Sequence, residues 1–452
     1  MNRMGEIESA EALEQGLARA LNRAGLPAPE RLHRLTGGAT MESWRFSSGG
    51  GDYVLRRAPS LSFMEGRPYG HDSEAEIIRA AHAAEVTAPE VIVVLEPGDG
   101  IGSGFVMRAL PGTPDPRAIL AMQDPSRLLR DVARDLARIH GIPRAALPGD
   151  VPEMDYAEAV ENLAGQFEEA GGDRPIIALG LAWLRDNLPG REEPVLNHGD
   201  YRLGNLLAED SRLTGVLDWE LAHFGDRHED LAFGCMAVWR FARVDRPALG
   251  LGSLQDYVDA YEAESGAKGD AGRFRFWLVY RTVWWALGCI RMASFWRSGD
   301  DRMLERVVIS RRTSEQELDL LLLLEEDAPE EEQARPVPPP EEKLEPMGEA
   351  SVGEIATAIS EWLATVKDRM EGHDRFQHAV ARNALGIIAR DHGAKIEIRN
   401  AGLASALLDG ELSLAESGLL AELRRTTLDK LAVDMPKYPA LAIARRKWTG
   451  ED

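Results

Sequence analysis

The chain has 452 residues, of which 44% are hydrophobic, and this size and composition predict two or three domains with buried cores. A formal net charge of −23 argues against nucleic acid as a partner, because phosphate backbones are bound by basic surfaces. Two cysteines without a zinc motif, and no membrane-spanning or signal-like apolar run, lead us to expect a cytoplasmic protein with no membrane partner.

The first predicted elements are a helix over residues 7–26 and two strands joined by a glycine-containing turn. The backbone N–H groups of such a turn can contact nucleotide phosphates. We therefore interpret residues 37–43 as a phosphate-covering loop, with a plain hairpin turn as the alternative. The candidate phosphate-binding residues of the turn are Gly37, Gly38, Ala39 and Thr40.

The segment Tyr53–Arg57 predicts the next strand. Side chains alternate between the two faces of a strand, so Val54 and Arg56 share one face, while Leu55 and Arg57 share the other. Two further strands are predicted downstream, over residues 91–95 and 104–110.

Amphipathic helices are predicted over residues 73–85 and 125–140. In the first helix Glu74 falls on the apolar face, whereas Glu76 lies off that face. The second helix ends at His140, which we interpret as a helix-end residue and not as a catalyst.

The most informative stretch begins with His198-Gly199-Asp200 and continues into two apolar runs that flank a polar turn. This pattern predicts a β-hairpin that brings Asn205, at the start of one strand, beside Asp218, at the end of the other. Phosphoryl transfer needs a carboxylate to orient the nucleophile and hard oxygen ligands for Mg²⁺. The stretch supplies both.

Aromatic and helical sequence follows the hairpin, and we expect most of these aromatic side chains to lie in the core. Half of the ten tryptophans of the chain fall in this region: Trp239, Trp277, Trp284, Trp285 and Trp296.

The last part of the chain predicts a linker and a helical module. Residues 325–350 are rich in acidic residues and proline, which cannot build a core, so we expect an extended linker. Residues 351–452 carry helical periodicity, starting with a capping box between Ser351 and Glu354. This all-α module contains no catalytic constellation, and we expect it to dock a partner or to form a homodimer.

Three motifs, taken in order, resemble those of the aminoglycoside phosphotransferase (APH) family, the small-molecule branch of the protein-kinase-like fold. The branch that this chain resembles most is the kinase-like domain of animal acyl-CoA dehydrogenase fusion proteins. The C-terminal module of this chain resembles a helical domain of unknown function that is often appended to these phosphotransferases. The motifs match at His198, Asp200 and Asn205, then at Asp218-Trp219-Glu220, then at Gly225, Asp226, Asp230 and Leu231.

The resemblance implies an α+β, bilobal protein-kinase-like fold with a separate all-α domain. A β-rich N-lobe would span residues 1–110 and a mainly helical C-lobe residues 111–324, followed by the linker over 325–350 and the accessory domain over 351–452.

The resemblance also implies that ATP or GTP binds between the lobes. Arg56 would take the role of the phosphate-binding lysine, with Arg57 as the alternative. Glu74, or alternatively Glu76, would anchor this cation. The nucleotide base would contact Val54 and the hinge, whose residues are Arg108, Ala109 and Leu110.

In the C-lobe the resemblance makes Asp200 the catalytic carboxylate and assigns Asn205 and Asp218 to Mg²⁺. The supporting residues would be His198, Glu220 and Asp226. The aromatic helices would form the acceptor site.

Three functions remain open from the sequence. The favoured one is a small-molecule kinase whose acceptor is a hydroxylated acyl-CoA or similar metabolite, in preference to an aminoglycoside. A nucleotide-binding pseudokinase that acts through its helical domain is the main alternative. A protein kinase is the third, although no activation segment ending in Ala-Pro-Glu follows Asp218.

Overall fold

The structure is a computed structural model that describes residues 10–35, 41–59, 64, 67–340, 350–392, 394, 396 and 398–451. The candidate phosphate loop, Gly37, Gly38, Ala39 and Thr40, lies outside these residues. In the described part of the chain, no helix is both long enough and apolar enough to cross a membrane.

The N-terminal region is an antiparallel five-stranded sheet with two helices. Its elements in chain order are α1 (Ala10–Arg23), β1 (Glu30–Arg34), β2 (Glu42–Ser48), β3 (Gly51–Ala58), α2 (His71–Ala83), β4 (Val91–Val94) and β5 (Ser103–Arg108). The strand order is β1-β2-β3-β5-β4. One face of α1 contributes Leu13 and Leu17 to a core that also contains Phe46, Leu55 and Val106.

The middle region alternates helices with short strands. Its elements are α3 (Pro116–Leu120), α4 (Pro125–His140), α5 (Tyr156–Glu169), α6 (Pro175–Asp186), β6 (Val195–Asn197), β7 (Leu206–Glu209), β8 (Arg212–Val216), β9 (His223–Gly225), α7 (Arg227–Phe233) and α8 (Leu254–Ser265). Strands β6 and β9 form one antiparallel pair, and β7 and β8 form another. The second pair is the predicted hairpin.

The regular elements in the described part of the C-terminal region are all helices. Its helices are α9 (Ala271–Ser298), α10 (Leu304–Ser310), α11 (Thr313–Leu324), α12 (Glu330–Gln333), α13 (Val352–Val366), α14 (Gly372–Asp391), α15 (Ala401–Leu408), α16 (Leu419–Asp434) and α17 (Pro439–Thr449). Strands therefore come first and helices later, as the α+β prediction requires.

The chain divides into two compact units. Unit 1 comprises Met1–Met154, Glu192–Cys235 and Asp245–Asp270. Unit 2 comprises Asp155–Arg191, Met236–Val244 and Ala271–Asp452. Unit 1 holds the sheet and the hairpin, and unit 2 holds α5, α6 and the C-terminal helices.

Helix α11 is the central helix of unit 2 and buries several polar side chains. Glu315 and Glu317 are buried and form ion pairs with Arg312 and Arg174, respectively. Asp319 is also buried and accepts a hydrogen bond from the Tyr438 hydroxyl, on the last turn before α17. The C-terminal helices α15, α16 and α17 pack against α6 and α11 within this unit.

The predicted extended linker is wrong for residues 325–335. This stretch forms a short 3-10 helix over Glu325–Asp327 and then α12. The buried Glu325 carboxylate accepts hydrogen bonds from Arg424 and from the Trp448 indole, at 2.7 and 2.8 Å. These acidic side chains are packed because their partners lie far along the chain, on α16 and α17, where composition does not reveal them.

The two cysteines are buried free thiols, as predicted. The helical module exposes an apolar stripe on α13, formed by Val352, Ile355, Ile359 and Trp362, and Trp362 is 63% exposed. The docking or dimerisation role of this module stays a prediction.

Candidate active site

The β7–β8 hairpin positions the proposed metal ligands. Its turn has two residues, since only Asp210 and Ser211 separate the strands. Both have positive φ, 49° and 58°, which is the type I′ geometry that matches the twist of paired strands. The Leu217 N–H donates to the Asn205 carbonyl at 2.8 Å, so pairing continues to the residue before Asp218.

The Asp200 carboxylate is held from both sides. The Asn205 amide donates to Oδ2 at 2.6 Å, and Arg202 donates from Nε to Oδ1 at 2.7 Å and from Nη2 to Oδ2 at 3.2 Å. Burial raises the pKa of Asp200 above its usual value, and the charge of Arg202 opposes that rise. The sequence interpretation missed Arg202, although its place between Asp200 and Asn205 was a signal.

His198 links the catalytic loop to the segment before Asp218. Its Nδ1 accepts from the Asp200 N–H at 3.2 Å, so the ring proton is on Nε2, which donates to the Leu217 carbonyl at 3.0 Å. Burial lowers the pKa of His198, which favours the neutral ring. These contacts are those of a residue that braces the loop.

Gly199 follows in a left-handed backbone conformation, which glycine adopts without strain. Its φ is +82°, and a Cβ at this position would lie 2.3 Å from the Leu221 carbonyl oxygen. The glycine of the His-Gly-Asp motif is therefore required by both its backbone conformation and the close approach of another chain segment.

Asp230 is a structural residue of the site that the sequence interpretation did not assign. Its carboxylate is fully buried and accepts from the N–H groups of His198 and Gly199 at 2.6 and 2.9 Å. Burial acts to raise its pKa, but hydrogen bonds from His140 and from the backbone lower it to about 2. Asp226, which was assigned a supporting role, caps α7 by accepting from the N–H of His228.

Asp218 adopts a strained backbone conformation at the end of β8. Its φ is +70°, in the left-handed region that few residues other than glycine adopt. The next residue, Trp219, is fully buried, and its carbonyl accepts from the Tyr69 hydroxyl at 2.7 Å. The carboxylates of Asp218 and Glu220, by contrast, remain about one-third exposed.

Arg56 is surrounded by three carboxylates. Its Nη2 donates to Asp218 at 2.6 Å and to Glu220 at 2.7 Å, and its Nε lies 3.3 Å from Glu74. Although burial acts to lower the pKa of Arg56, these carboxylates raise it above its usual value, so the guanidinium stays charged. Burial raises the pKa of Glu74 to about 7, against the effect of the Arg56 charge.

The two arginines proposed as alternatives for the phosphate-binding role, Arg56 and Arg57, differ in burial and in partners. Val54 and Arg56 are half-buried on one face of β3, whereas Arg57 is buried on the other and donates to Glu42 and to the Ile101 carbonyl. Glu76 is exposed. The predicted ion pair between Arg56 and Glu74 is thus present, and its role toward a nucleotide stays a prediction.

The hinge prediction is corrected for two of its three backbone N–H groups, which are not free to bind a nucleotide base. The N–H of Arg108 donates to the Glu90 carbonyl at 2.9 Å, and that of Ala109 donates to the Asp52 carbonyl at 3.0 Å. Both groups are consumed by strand pairing and cannot donate to a nucleotide base. Leu110 is the one predicted hinge residue whose N–H has no partner within the described ranges.

The end of the hairpin has a donor set that suits a hard divalent cation. Both hydrogen bonds of the Asn205 amide use Nδ2, which leaves its oxygen available, and Asp218 contributes a carboxylate. Carboxylate and amide oxygens are the ligands that Mg²⁺ prefers. These residues therefore fit the predicted ion.

A second group of side chains in unit 1 could hold a metal by residue type, but its histidine already has hydrogen-bond partners. Glu192, Asp226 and His228 lie close together. However, Nδ1 of His228 hydrogen-bonds to Asp226, and its Nε2 accepts from the N–H of Asp270 at 2.9 Å. Neither ring nitrogen is left for a metal.

Comparison with known proteins gives matches over most of this region. A model of the phosphotransferase enzyme family (APH) matches residues 31–266, more than half of the chain, and one of a domain of unknown function, DUF6285, matches residues 391–438. Acyl-CoA dehydrogenase family member 10 of Mus musculus is 30% identical over 229 residues, which are 46% of this chain and 21% of that protein. Member 11 of Gallus gallus is 27% identical over 246 residues, 52% of this chain and 31% of that protein.

The chain thus spans between a fifth and a third of the length of these curated relatives. A solved structure from Ralstonia eutropha, assigned as an aminoglycoside phosphotransferase, aligns with a TM-score of 0.58 at 20% identity. The alignment covers 69% of this chain and 98% of that one. It confirms the predicted fold class, a kinase-like phosphotransferase fold with a β-sheet N-terminal region and a helical C-terminal region.

Proposed function

The chain belongs to the phosphotransferase enzyme family, and on that premise we propose that it transfers the γ-phosphoryl group of ATP to a hydroxyl group of a small molecule, with Mg²⁺ as cofactor. The observation that supports this most strongly is the Asp200 carboxylate, fixed by Arg202 and Asn205 next to the oxygen ligands of the hairpin. GTP is the alternative nucleotide.

Asp200 would orient the acceptor hydroxyl and take up its proton as the oxygen attacks the γ-phosphorus. Its carboxylate suits that role because two donors fix its plane, so little reorganisation is needed when a hydroxyl approaches. Mg²⁺ held by Asn205 and Asp218 would supply neutralisation of the charge on the phosphate oxygens.

Arg56 would bind the nucleotide phosphates through its guanidinium fork. The Nη2 atom of that fork donates to Asp218 and Glu220. Phosphate oxygens would replace these carboxylates, while Glu74 would keep Arg56 in position from its buried site on α2.

For the acceptor we propose a hydroxylated acyl-CoA or a related metabolite, in preference to an aminoglycoside. The support is that the matched region forms part of acyl-CoA dehydrogenase family members in animals. The aromatic residues of α9 add little to this choice, since Trp277 and Tyr280 are buried.

The test uses ATP with an isotopically tagged γ-phosphate, Mg²⁺, a cell metabolite extract and a panel of hydroxyacyl-CoA thioesters, with mass spectrometry as the readout. We expect a tagged product with the native protein that is absent with Asp200→Asn. A product equally abundant with both proteins would show that the reaction does not need the Asp200 carboxylate.

A pseudokinase is the second candidate, because Arg56 is hydrogen-bonded to Asp218, the carboxylate that would bind the metal. It predicts that Mg-ATP raises Tm while no tagged product forms with any acceptor. Product formation with any hydroxyacyl-CoA excludes it.

A further inference from the structure

Unit 2 contains a cavity of about 760 Å³ that the proposed reaction does not use. It is bounded by the start of α6, the end of α9, the α10–α11 junction, the segment before α15 and the end of α16. Pockets that bind organic ligands measure roughly 300–1,000 Å³. All of its lining residues belong to unit 2.

The charged lining of the cavity is mainly cationic. Its carboxylates are Asp173 and Asp434, and its cations are Arg174, Arg297, Arg311, Arg399 and Lys430. Glu317 and Asp391 pair with Arg174 and Arg311 from outside the lining, so the net positive charge of the cavity is carried mainly by Arg297. An anion is therefore the class of ligand that the lining favours.

Most of these cations are fixed by carboxylates, which orients them in advance. Arg399 pairs with Asp173, and Arg311 pairs with Asp434. Arg297, near the end of α9, is exposed and has no carboxylate partner in the described part of the chain. Its charge is the one most available to a ligand.

Two helices begin at the cavity without a side-chain cap. Arg174 precedes the first residue of α6, and Thr313 is the first residue of α11. The hydroxyls of Thr313 and Ser314 donate to the carbonyls of Ser310 and Arg311, and no side chain caps the first turn of α11. The positive ends of both helices add to the attraction for an anion.

The remaining wall of the cavity is apolar. Ile290 and Ala293 come from α9, and Ile396 and Ile398 come from the segment before α15. A ligand that fills this volume therefore meets both a hydrocarbon surface and a cationic one, as an amphipathic anion requires.

We propose that this cavity binds an organic anion with an apolar body. Its phosphate or carboxylate head would contact Arg297, Arg399 and the start of α11, and its apolar body would pack against Ile290 and Ile398. The match to the domain of unknown function includes Ile398, Arg399 and the α16 residues of the cavity, whereas α6, α9 and α11 precede that match. The helical module would thus supply six of the sixteen lining residues of a ligand site.

The test compares three probes with the same alkyl chain and different heads: octyl phosphate, octanol and octyltrimethylammonium, each below its micelle-forming concentration. Calorimetric titration into the full chain should give saturable binding and a raised Tm with octyl phosphate alone. Octanoate serves as a fourth probe and separates a phosphate preference from a general preference for anions. Equal responses to all three heads, or none to either anion, would overturn the proposal.

Three variants test whether the ligand binds in this cavity. Arg297→Gln should weaken octyl phosphate binding roughly tenfold, because a charge-assisted contact is lost. Arg291→Gln is the matched control, since Arg291 is also exposed on α9 but does not line the cavity. Ala293→Phe should abolish binding by filling the apolar side. Equal affinities of the Arg297 and Arg291 variants would contradict the assignment, whether or not the Ala293 variant folds.

Discussion

Arg56 donates a hydrogen bond of 2.6 Å to Asp218, which joins the proposed phosphate-binding cation to the proposed metal ligand. Asp218 makes this contact from a left-handed backbone conformation, φ +70°, that raises its energy. Arg56 thus neutralises a carboxylate that would otherwise be repelled by Glu220 beside it. When nucleotide and metal bind together, Arg56 would contact phosphate and Asp218 would contact the metal in place of each other. The binding of nucleotide and the binding of metal should therefore be strongly coupled.

The first prediction concerns this coupling. Asp218→Ala removes the proposed metal ligand, so we expect Mg²⁺ to lose its effect on ATP affinity. ATP without metal should still bind, because Arg56 is released from a carboxylate and becomes more available to phosphate. Calorimetric titration of ATP with and without Mg²⁺ measures both. An unchanged Mg²⁺ dependence would contradict the assignment of Asp218.

The second prediction concerns the catalytic carboxylate. Asp200→Asn should lower kcat by roughly 10²–10⁴, because the neutral amide cannot take up the proton of the acceptor. The Kd for ATP should stay near that of the native protein. Rapid-mix product measurements give kcat, and titration gives Kd. A native rate in this variant would exclude Asp200 as the base.

The third prediction concerns the buried brace under the loop. Asp230→Asn replaces an acceptor of two backbone N–H groups, so the free energy of unfolding should fall by about 2 kcal/mol at pH 7. The pKa of Asp230 is lowered to about 2 from 3.8, so this stability is present above pH 4 and is lost as pH falls through about 2. Denaturant titrations should show the native–variant difference shrinking between pH 4 and pH 2. A difference independent of pH would show that charge is not the cause.

The fourth prediction concerns Asp319, whose contribution to stability changes with pH in the opposite direction to that of Asp230. Burial raises the pKa of Asp319 on α11 from 3.8 to about 7, so the folded state holds its proton more tightly than the unfolded chain. The native protein should therefore lose stability from this residue as pH rises from about 4 to about 7. Asp319→Asn mimics the protonated form and should be more stable than the native protein at pH 8, on the order of 2 kcal/mol, but not at pH 4. Equal Tm differences at the two pH values would contradict it.

Local patterns predicted most of the site. Strand alternation placed Arg56 on the face of Val54, and helical periodicity placed Glu74 on the apolar face of α2, where the two residues form the predicted ion pair. The hairpin was predictable from two apolar runs around a polar turn, and it placed Asn205 beside the residue before Asp218.

Long-range hydrogen bonding decided what the sequence could not reveal. Asp230 lies about thirty residues from the backbone groups it holds, and nothing in its own segment shows that it is buried. The hinge donors were misjudged because Arg108 and Ala109 pair with residues of other strands. Glu325 was expected in solvent because its partner Arg424 lies on a helix roughly a hundred residues away.

The last prediction tests Arg202, whose two hydrogen bonds fix the plane of the Asp200 carboxylate. Burial raises the pKa of Asp200, and the charge of Arg202 lowers it. Arg202→Gln keeps a donor but removes the charge, so the pKa of Asp200 should rise further and the acidic limb of the pH–rate profile should move to higher pH. A Lys substitution restores the charge without the fork, so it should return the limb toward the native position while kcat stays low. A profile unshifted in the Gln variant would show that Arg202 acts through geometry alone. If the Lys variant recovered full kcat, the bidentate contact would be unnecessary.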